Sequence, residues 1–210
     1  MKPFHENVKI EGLDLKQDTP HRHPIQLLAR VYAIYLIQGP FVLGEKVFDF
    51  CLSQCLHIRV ANDIIPAIEN ESKRTQYKTY IDVGAHTGDT LLPVADLFNT
   101  CVAIEPDPRN LTLLKEMMQN LKNCTIVDCA LSDSEGQMPL FMEERTDQSS
   151  LYRKGPDKRL VKVDTLDNLV RKFDLKPPFL VKIDVQGGEY HVLLGGPKTL
   201  MNQITILSEF

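Results

Sequence analysis

The chain of 210 residues is long enough for one domain of ordinary size with an extension. With 43% hydrophobic residues it can bury a core, and its net charge of −4 argues against non-specific binding to nucleic acids. The cysteines are odd in number and include no CxxC pair, so neither a disulfide scaffold nor a metal site is indicated. These features favour a reduced, cytoplasmic compartment.

A small helical extension is predicted to precede the main domain. Residues 1–76 are assigned to this extension and residues 77–210 to an α/β domain. The first residues contain no apolar run typical of a signal peptide, and two helices are expected at about 24–38 and 44–56. The segment 57–72 fits either a short strand or a helical turn.

The longest apolar stretch of the chain begins in the first of these helices. It contains Arg30 and Gln38 and is interrupted by Gly39 and Pro40. The interruption makes it too short for an integral membrane span, which needs about 20 apolar residues. A buried helix is the preferred interpretation, with contact at a membrane interface as the alternative.

Strands and helices are predicted to alternate along the second part of the chain. Strands are predicted at TYIDVG, TCVAIEP, CTIVDCALS, QMPLFME, RLVKV, PFLVKIDV and ITILSEF. Helices are predicted at DTLLPVADLF from about Asp89, at DPRNLTLLKEMMQNL after an N-cap at Asp107, at DTLDNLVRKF and at GEYHVLLGG. Such alternation is typical of a parallel sheet with helices on both faces.

A glycine turn follows the first of these strands, in the sequence YIDVGAHTGDT. Gly84 and Gly88 lie where ligands bind in such sheets, beyond the carboxyl ends of the strands. Dinucleotide sites usually have a third glycine between them, which lets the backbone approach a pyrophosphate. Here that residue is His86, whose side chain would crowd the pyrophosphate. The turn therefore disfavours a nucleotide-sugar oxidoreductase and favours S-adenosylmethionine, which has no phosphate.

Acidic residues at the ends of the first two strands suit the polar groups of S-adenosylmethionine. Asp82 is expected to attract the methionyl ammonium, and main-chain amides at 88–90 are expected to bind the methionyl carboxylate. Glu105 ends the second strand, where its carboxylate can accept hydrogen bonds from both ribose hydroxyls. The alternative is a βαβ unit in which Glu105 only caps the following helix.

Two loops contribute further candidates. Main-chain amides at Ala130 and Leu131, after the third strand, are expected to bind the adenine ring. Asp133 either holds that loop or forms an Asx turn. Ser149 and Ser150 occupy a polar loop that either closes over the substrate or is a surface connection.

Six segments resemble, in order, the FkbM-type methyltransferase family: IDVGAHTGDT, VAIEPDPRN, ALSDSEGQMPLF, SSL, VDTLDNL and LVKIDVQGGEYHVLLGG. The resemblance covers about Thr79 to Phe210, and KIDVQGGE is its most specific part. It implies a class I, Rossmann-like three-layer α/β sandwich with a mostly parallel sheet. It also implies S-adenosylmethionine as cofactor and O-methylation of a hydroxyl on a sugar, polyketide or related small or glycan-linked acceptor. The predicted cofactor-binding residues are Asp82, Gly84, Ala85, Gly88, Asp89, Thr90, Glu105, Pro106, Ala130 and Leu131.

The chain departs from the family pattern at three places, the first of which is residues 1–76, which match no known segment. Gln186 stands where the family block often has an acid, so no catalytic role is assigned to it. The chain stops at Phe210, directly after the fifth core strand, so the C-terminal strands of the usual fold are expected to be missing. The last strand would then be a sheet edge, which is expected to pair with a second copy in a homodimer unless the N-terminal segment covers it.

Candidate catalytic residues follow the fourth core strand. Asp184 is the first candidate for the base that takes the acceptor's proton, although it can equally shape the Gly-Gly turn or contact the methionyl group. Glu189 is the second candidate and can instead cap its helix. His191 lies in an apolar helical run and is expected to be an ordinary surface or core histidine.

The sequence as a whole predicts a cytoplasmic O-methyltransferase. Its predicted partner is a small-molecule or glycan hydroxyl acceptor, and neither a nucleic acid nor a metal ion is expected to bind. The alternative is a cofactor- or partner-binding module without turnover, which the early end of the chain makes plausible.

Overall fold

The computed structural model describes residues 58–60, 64–152 and 155–208. The helices predicted at about 24–38 and 44–56 lie outside these residues. The described strands are β1 (Ile58–Val60), β2 (Thr79–Val83), β3 (Thr100–Ile104), β4 (Cys124–Val127), β5 (Ala130–Leu131), β6 (Gly136–Met142), β7 (Asp157–Asp164), β8 (Phe179–Ile183) and β9 (Ile204–Ser208).

Short helices connect these strands. The described α-helices are α1 (Ile64–Arg74), α2 (Pro108–Met118), α3 (Leu166–Lys172) and α4 (Glu189–Leu194). Turns of 3-10 helix occupy Leu92–Leu97, Thr146–Gln148 and Thr199–Met201. None of the helices in the described ranges has the length and apolar character needed to cross a membrane.

Six strands form one parallel sheet in the order β1-β9-β8-β2-β3-β4. The ends of the three central strands β2, β3 and β8 are in register at Val83, Ile104 and Ile183. The segments that follow these strands therefore leave the sheet side by side. This edge is where ligands bind in open parallel sheets.

Apolar residues cover both faces of the sheet, as expected for parallel strands buried on two sides. On one face, Tyr80 and its neighbours pack among residues of α1, α2 and the 3-10 helix at Leu92–Leu97. The ring of Tyr80 stacks on Phe98 with centroids 5.0 Å apart. On the other face, Ile81 packs among residues of α3 and α4. This arrangement confirms the predicted Rossmann-like three-layer fold.

The predicted strand CTIVDCALS is divided between two sheets. β4 joins the parallel sheet, whereas β5 pairs with β7 in a second sheet of order β5-β7-β6. At the break, the N–H of Cys129 donates to the carbonyl of Val127 at 3.1 Å, which closes a three-residue turn. The prediction of one strand was wrong because apolar residues continue through this turn. β6 and β7, predicted as two extra strands, form an antiparallel pair.

Strand β1 covers the strand that was expected to be a free edge. It pairs in parallel with β9, with Ile58 opposite Ile206 and Val60 opposite Ser208. The segment 57–72, which fitted a strand or a helical turn, thus contains β1 and most of α1. Because β9 lies between β1 and β8, the predicted homodimer through a free β9 edge loses its structural basis.

A 3-10 helix replaces the α-helix that was predicted from about Asp89. It occupies Leu92–Leu97, and the N–H of Val94 donates to the carbonyl of Leu91 at 3.1 Å. Pro93 has no amide hydrogen, and so short a segment favours the tighter helix. The sequence pattern correctly indicated a helical segment with buried apolar residues, but the predicted type of helix and its predicted start at about Asp89 were wrong.

Candidate active site

A cavity of about 330 Å³ lies at the carboxyl ends of β2, β3 and β8. This volume falls in the range of small-ligand sites. The predicted site residues that line it are Gly84, Ala85, Asp89, Thr90, Glu105, Pro106, Ala130, Leu131 and Asp184. The other predicted site residues, Asp82, Gly88 and Glu189, are not part of its wall.

The two glycines of the turn after β2 are needed for close packing. Gly84 has a φ of 81°, and a Cβ there would lie 1.9 Å from the carbonyl oxygen of Asp184. Gly88 has a φ of 93°, and a Cβ there would lie 2.2 Å from the Cε of Met118 in α2. The N–H of Gly88 donates to the carbonyl of Ala85 at 2.9 Å. This amide is therefore used within the turn, contrary to its predicted contact with a ligand carboxylate.

Glu105 is held by three donors at the end of β3. Its Oε2 accepts the main-chain N–H of His86 at 2.9 Å. Its Oε1 accepts the main-chain N–H of Asp107 at 2.8 Å and the side-chain amide of Asn110 at 3.3 Å. Burial raises the pKa of Glu105 to about 7, and the hydrogen bonds oppose this shift. His86 has a φ of 51°, which is uncommon for a residue other than glycine.

Asp82 forms a buried ion pair with Lys182 of β8. The Nζ of Lys182 lies 3.1 Å from Oδ1 of Asp82, and it also donates to the carbonyl of Gly84 at 3.1 Å. Burial raises the pKa of the Asp82 carboxyl, and the Lys182 ammonium opposes this shift. Lys182 lines the cavity and Asp82 does not, so the attraction of Asp82 for a methionyl ammonium stays a prediction.

Asp184 and Glu189 have different surroundings after β8. The side chain of Asp184 is 23% exposed, and its Oδ1 accepts the side-chain amide of Gln186 at 2.9 Å. Within the described part of the chain, its Oδ2 accepts no hydrogen bond. Glu189 instead faces the turn, where its Oε1 accepts the N–H groups of Val185 at 3.2 Å and Gly187 at 3.0 Å. Glu189 thus holds the turn on which Asp184 is presented.

The loop between β6 and β7 forms one wall of the cavity, and we call its residues 143–152 the roof loop. Oδ2 of Asp107 accepts the hydroxyl of Ser149 at 2.8 Å and Nη2 of Arg109 at 2.7 Å. Nη1 of Arg109 donates to the carbonyl of Glu143 at 2.9 Å. Although burial opposes it, the hydrogen bonds from Arg109 keep the pKa of Asp107 below its usual value. The roof loop is therefore fastened to the start of α2.

Three further contacts join the roof loop to the other walls. Oγ1 of Thr146 lies 2.8 Å from Nε2 of His86, and the carbonyl of Thr146 accepts the side-chain amide of Asn110 at 3.3 Å. The hydroxyl of Ser150 donates to the carbonyl of Gln186 at 2.8 Å. The loop thus contacts the glycine turn, α2 and the turn after β8.

Tyr152 extends the wall at the end of the roof loop. Its ring stacks on His191 with centroids 4.2 Å apart, and its hydroxyl lies 2.6 Å from Oγ of Ser132. Nδ1 of His191 lies 3.0 Å from Oδ2 of Asp133. A Cβ on Gly188 would lie 2.9 Å from the Tyr152 ring. His191 and Asp133 therefore support the wall from behind without lining the cavity.

A family model described as "Methyltransferase FkbM domain" matches residues 82–209, more than half of the chain. The chain belongs to this family. The match spans the glycine turn, the roof loop and Asp184, and it confirms the family that the sequence motifs resemble. The family implies methyl transfer as the reaction and S-adenosylmethionine as the methyl donor.

Two solved structures show distant similarity to this chain. The precorrin-6Y C5,15-methyltransferase from Geobacter metallireducens GS-15 is 15% identical, with a TM-score of 0.33, and the match covers 65% of this chain and 59% of that chain. A putative S-adenosylmethionine-dependent methyltransferase from Listeria monocytogenes is 13% identical, with a TM-score of 0.25, over 49% of this chain and 79% of that chain. The chain thus spans less than two thirds of the first protein, and neither overlap carries an argument about function. A comparison with curated proteins gave no match.

The residues of the cavity fit S-adenosylmethionine. Glu105 is a buried carboxylate that lines the cavity and suits a ribose diol. Ala130 and Leu131 supply a buried apolar wall of the kind that an adenine ring needs. The His86 side chain contacts Thr146 of the roof loop, so the turn lacks the open backbone that a pyrophosphate requires.

Several residues of the cavity wall were not predicted from the sequence. Four polar examples are Asn110, Thr146, Tyr152 and Lys182. Lys182 had a recognisable signal, because it is the single charged residue inside the otherwise apolar strand FLVKI, and a buried lysine needs a partner. The other three lie in a helix and a loop whose distance from the strand ends depends on tertiary packing.

Proposed function

We propose that this methyltransferase transfers the methyl group to oxygen, on a hydroxyl of a sugar, polyketide or related small or glycan-linked acceptor. The observation that supports the proposal is the position of Asp184 in the cavity wall, with an Oδ2 that accepts no hydrogen bond among the described residues. A hydroxyl must lose its proton when its oxygen is methylated, so a base is needed beside the acceptor.

The proposal gives each wall of the cavity a task. Glu105 holds the ribose, and the Ala130–Leu131 strand contacts the adenine. When bound, S-adenosylmethionine supplies a methyl group that is already activated by its sulfonium. Asp184 accepts the proton of the acceptor hydroxyl, and the roof loop shields the site from water.

The test is the change Asp184→Asn, which keeps the shape of the side chain and removes its basicity. Methyl transfer should fall by about 10²–10⁴-fold, the usual contribution of a general base, while cofactor affinity is largely kept. Affinity is measured by calorimetry and transfer with a labelled methyl donor over a panel of hydroxyl acceptors. Asp174→Asn is the matched control, because the Asp174 side chain is 84% exposed.

Three results would distinguish the proposed roles of Asp184 and Glu189, and the proposed turnover, from their alternatives. A parallel loss of affinity and rate in Asp184→Asn would assign Asp184 to the methionyl group instead of the proton. Unchanged turnover in Glu189→Gln would support the turn-holding role of Glu189, because the amide oxygen can still accept the N–H groups of Val185 and Gly187. Cofactor binding by the wild type without turnover on any hydroxyl acceptor would favour a binding module.

A further inference from the structure

The carboxylate of Glu105 and the roof loop are joined by two separate chains of hydrogen bonds. On one side, the main-chain N–H of His86 donates to Oε2 of Glu105 at 2.9 Å, and Nε2 of the His86 ring lies 2.8 Å from Oγ1 of Thr146. On the other side, Nδ2 of Asn110 donates to Oε1 of Glu105 and to the carbonyl of Thr146, each at 3.3 Å. Both chains thus begin at one carboxylate and end at one residue of the loop. We call Glu105, His86, Thr146 and Asn110 the bridging ring.

Asn110 occupies a buried position at which only its donor group is used. Its Nδ2 faces a carboxylate and a carbonyl, so the opposite orientation of the amide would bring three acceptors together. Its Oδ1 is buried and has no hydrogen-bond partner among the residues that the structure describes. An orphaned acceptor costs free energy that an apolar side chain of similar shape would avoid. The contribution of Asn110 therefore lies in the two bonds that it donates.

The part of the roof loop that contains Thr146 is held mainly by polar contacts. Asp147 and Gln148, which follow Thr146, are exposed, whereas Ser150 and Leu151 at the far end of the loop are buried. A segment with few buried apolar contacts opens at a lower cost in free energy than the core does. This part of the loop can therefore respond to a change at the other end of the bridging ring.

We propose that the bridging ring couples the ribose position to the roof loop: when ribose hydroxyls occupy Glu105, His86 and Asn110 hold Thr146 more firmly, and the loop closes over the cavity. The inference rests on the proposed function in which Glu105 holds the ribose. Hydroxyls that donate to the carboxylate restrict its motion, so less conformational entropy is lost when its neighbours order the loop. The coupling is reciprocal, so a closed loop also raises the affinity for the ribose. His86 and Asn110 are thus positioning residues.

The coupling serves methyl transfer, because a loop that closes over a bound methyl donor shields the reacting groups and later releases the product. The far end of the loop extends this effect toward Asp184. There the hydroxyl of Ser150 donates to the carbonyl of Gln186, and the side-chain amide of Gln186 donates to Oδ1 of Asp184. The event that fixes the methyl donor thus also completes the wall beside Asp184.

The first test measures amide hydrogen exchange of residues 143–152 in the whole chain, without ligand and with each of two ligands at saturation. The ligands are S-adenosylhomocysteine and its dideoxy analogue, which lacks both ribose hydroxyls. In the wild type, S-adenosylhomocysteine should slow exchange about fivefold more than the analogue does, at the lower end of typical coupling between sites. Equal protection of the loop by the two ligands overturns the inference.

Asn110→Leu tests the bridging ring itself, because leucine keeps the branched shape of the side chain and donates no hydrogen bond. In this variant the two ligands should protect the roof loop equally. Arg109→Met is the matched control, since it removes bonds to Glu143 and Ser149 that lie outside the ring. Exchange should be faster in every state of this control, while the difference between the ligands stays. The same result in Asn110→Leu would mean a purely structural role and overturn the inference.

A cycle of affinities protects the test against misfolding of Asn110→Leu. Thr146→Val keeps the shape of its side chain and removes the contact with Nε2 of His86. By calorimetry, its affinity for S-adenosylhomocysteine should fall about threefold, a modest coupling between neighbouring residues. In the Glu105→Ala background, where the ring has lost its carboxylate, Thr146→Val should have no effect. A loss of the same size in both backgrounds, or in neither, overturns the inference.

The same measurements judge the proposed function separately. Equal affinity of the wild type and Glu105→Ala for S-adenosylhomocysteine would contradict the placement of the ribose on Glu105, whatever the roof loop does. Affinity that depends on Glu105, together with loop exchange that does not depend on the ribose hydroxyls, would leave that placement intact and overturn the coupling alone.

Discussion

The main-chain N–H of His86 donates a hydrogen bond to Oε2 of Glu105, over 2.9 Å. This bond joins the glycine turn after β2 to the acid after β3, so that two separate sequence motifs form one structural unit. A change in Glu105 therefore affects both the ligand contact and the turn.

Replacing Glu105 should weaken cofactor binding strongly. Glu105→Ala removes a charged acceptor for the ribose hydroxyls, which typically costs about 1.5–3 kcal/mol of binding free energy. Calorimetry with S-adenosylmethionine and its demethylated product measures this loss. Glu116→Ala on the exposed side of α2 should bind like the wild type. Binding of NAD, or unchanged affinity in Glu105→Ala, would show that the assignment of the site is mistaken.

Cofactor affinity should rise with pH through about 7. Burial raises the pKa of Glu105 to about 7, so below this pH the carboxyl is protonated in the empty site. Ribose hydroxyls donate to the ionised form, so binding favours proton release, and affinity falls as the pH drops from 8 to 6. Calorimetry across this range measures the trend, and in Glu105→Gln the trend should disappear. A trend that persists in that variant would assign it to another group.

Replacing Arg109 should increase the mobility of the roof loop without unfolding the domain. Arg109→Met removes donors to the carbonyl of Glu143 and the hydroxyl of Ser149. Loss of such contacts should accelerate amide hydrogen exchange in residues 143–152 on the order of tenfold, while the central strands stay protected. Arg171→Met, on exposed α3 surface, is the control. Equal exchange in both variants would mean that Arg109 does not fasten the loop.

Gly84→Ala should destabilise the fold far more than Gly136→Ala. Both glycines have a positive φ, of 81° and 148°, so each alanine carries backbone strain of roughly 1–3 kcal/mol. Only at Gly84 would the new Cβ also collide with the carbonyl oxygen of Asp184, since nothing lies within 4 Å of a Cβ at Gly136. Chemical denaturation compares the free energies of unfolding. Similar losses in the two variants would contradict the close approach of β2 and β8.

Elements with a local signal were predictable from the sequence. Helix α2 begins at Pro108 with Asp107 as N-cap, as predicted, because capping depends on neighbouring residues. The segment CTIVDCALS was misjudged, because β5 leaves the main sheet to pair with residues 157–164, which lie well further along the chain. Hydrophobic pattern alone does not report which partner a strand selects.

For the candidate site, too, residues at strand ends were predictable from the sequence, whereas contacts between distant parts of the chain were not. Glu105 and Asp184 were predicted to lie near each other, and both line the cavity because parallel register brings the ends of their strands together. The contact between Lys182 and Asp82 spans 100 positions of the chain, and no local pattern joins the two. The same holds for the hydrogen bond of Ser149 to Asp107, which needs the roof loop to fold back on α2.

The pairing of β1 with β9 has a consequence for the order of events during biosynthesis. Ile58 leaves the ribosome about 150 residues before its partner Ile206, so β1 has no strand to join until β9 has emerged. Contacts between such distant positions require the closure of a long chain segment, which slows folding. The edge of the sheet is therefore expected to be completed late, after the strands that carry the glycine turn and Glu105 have already met.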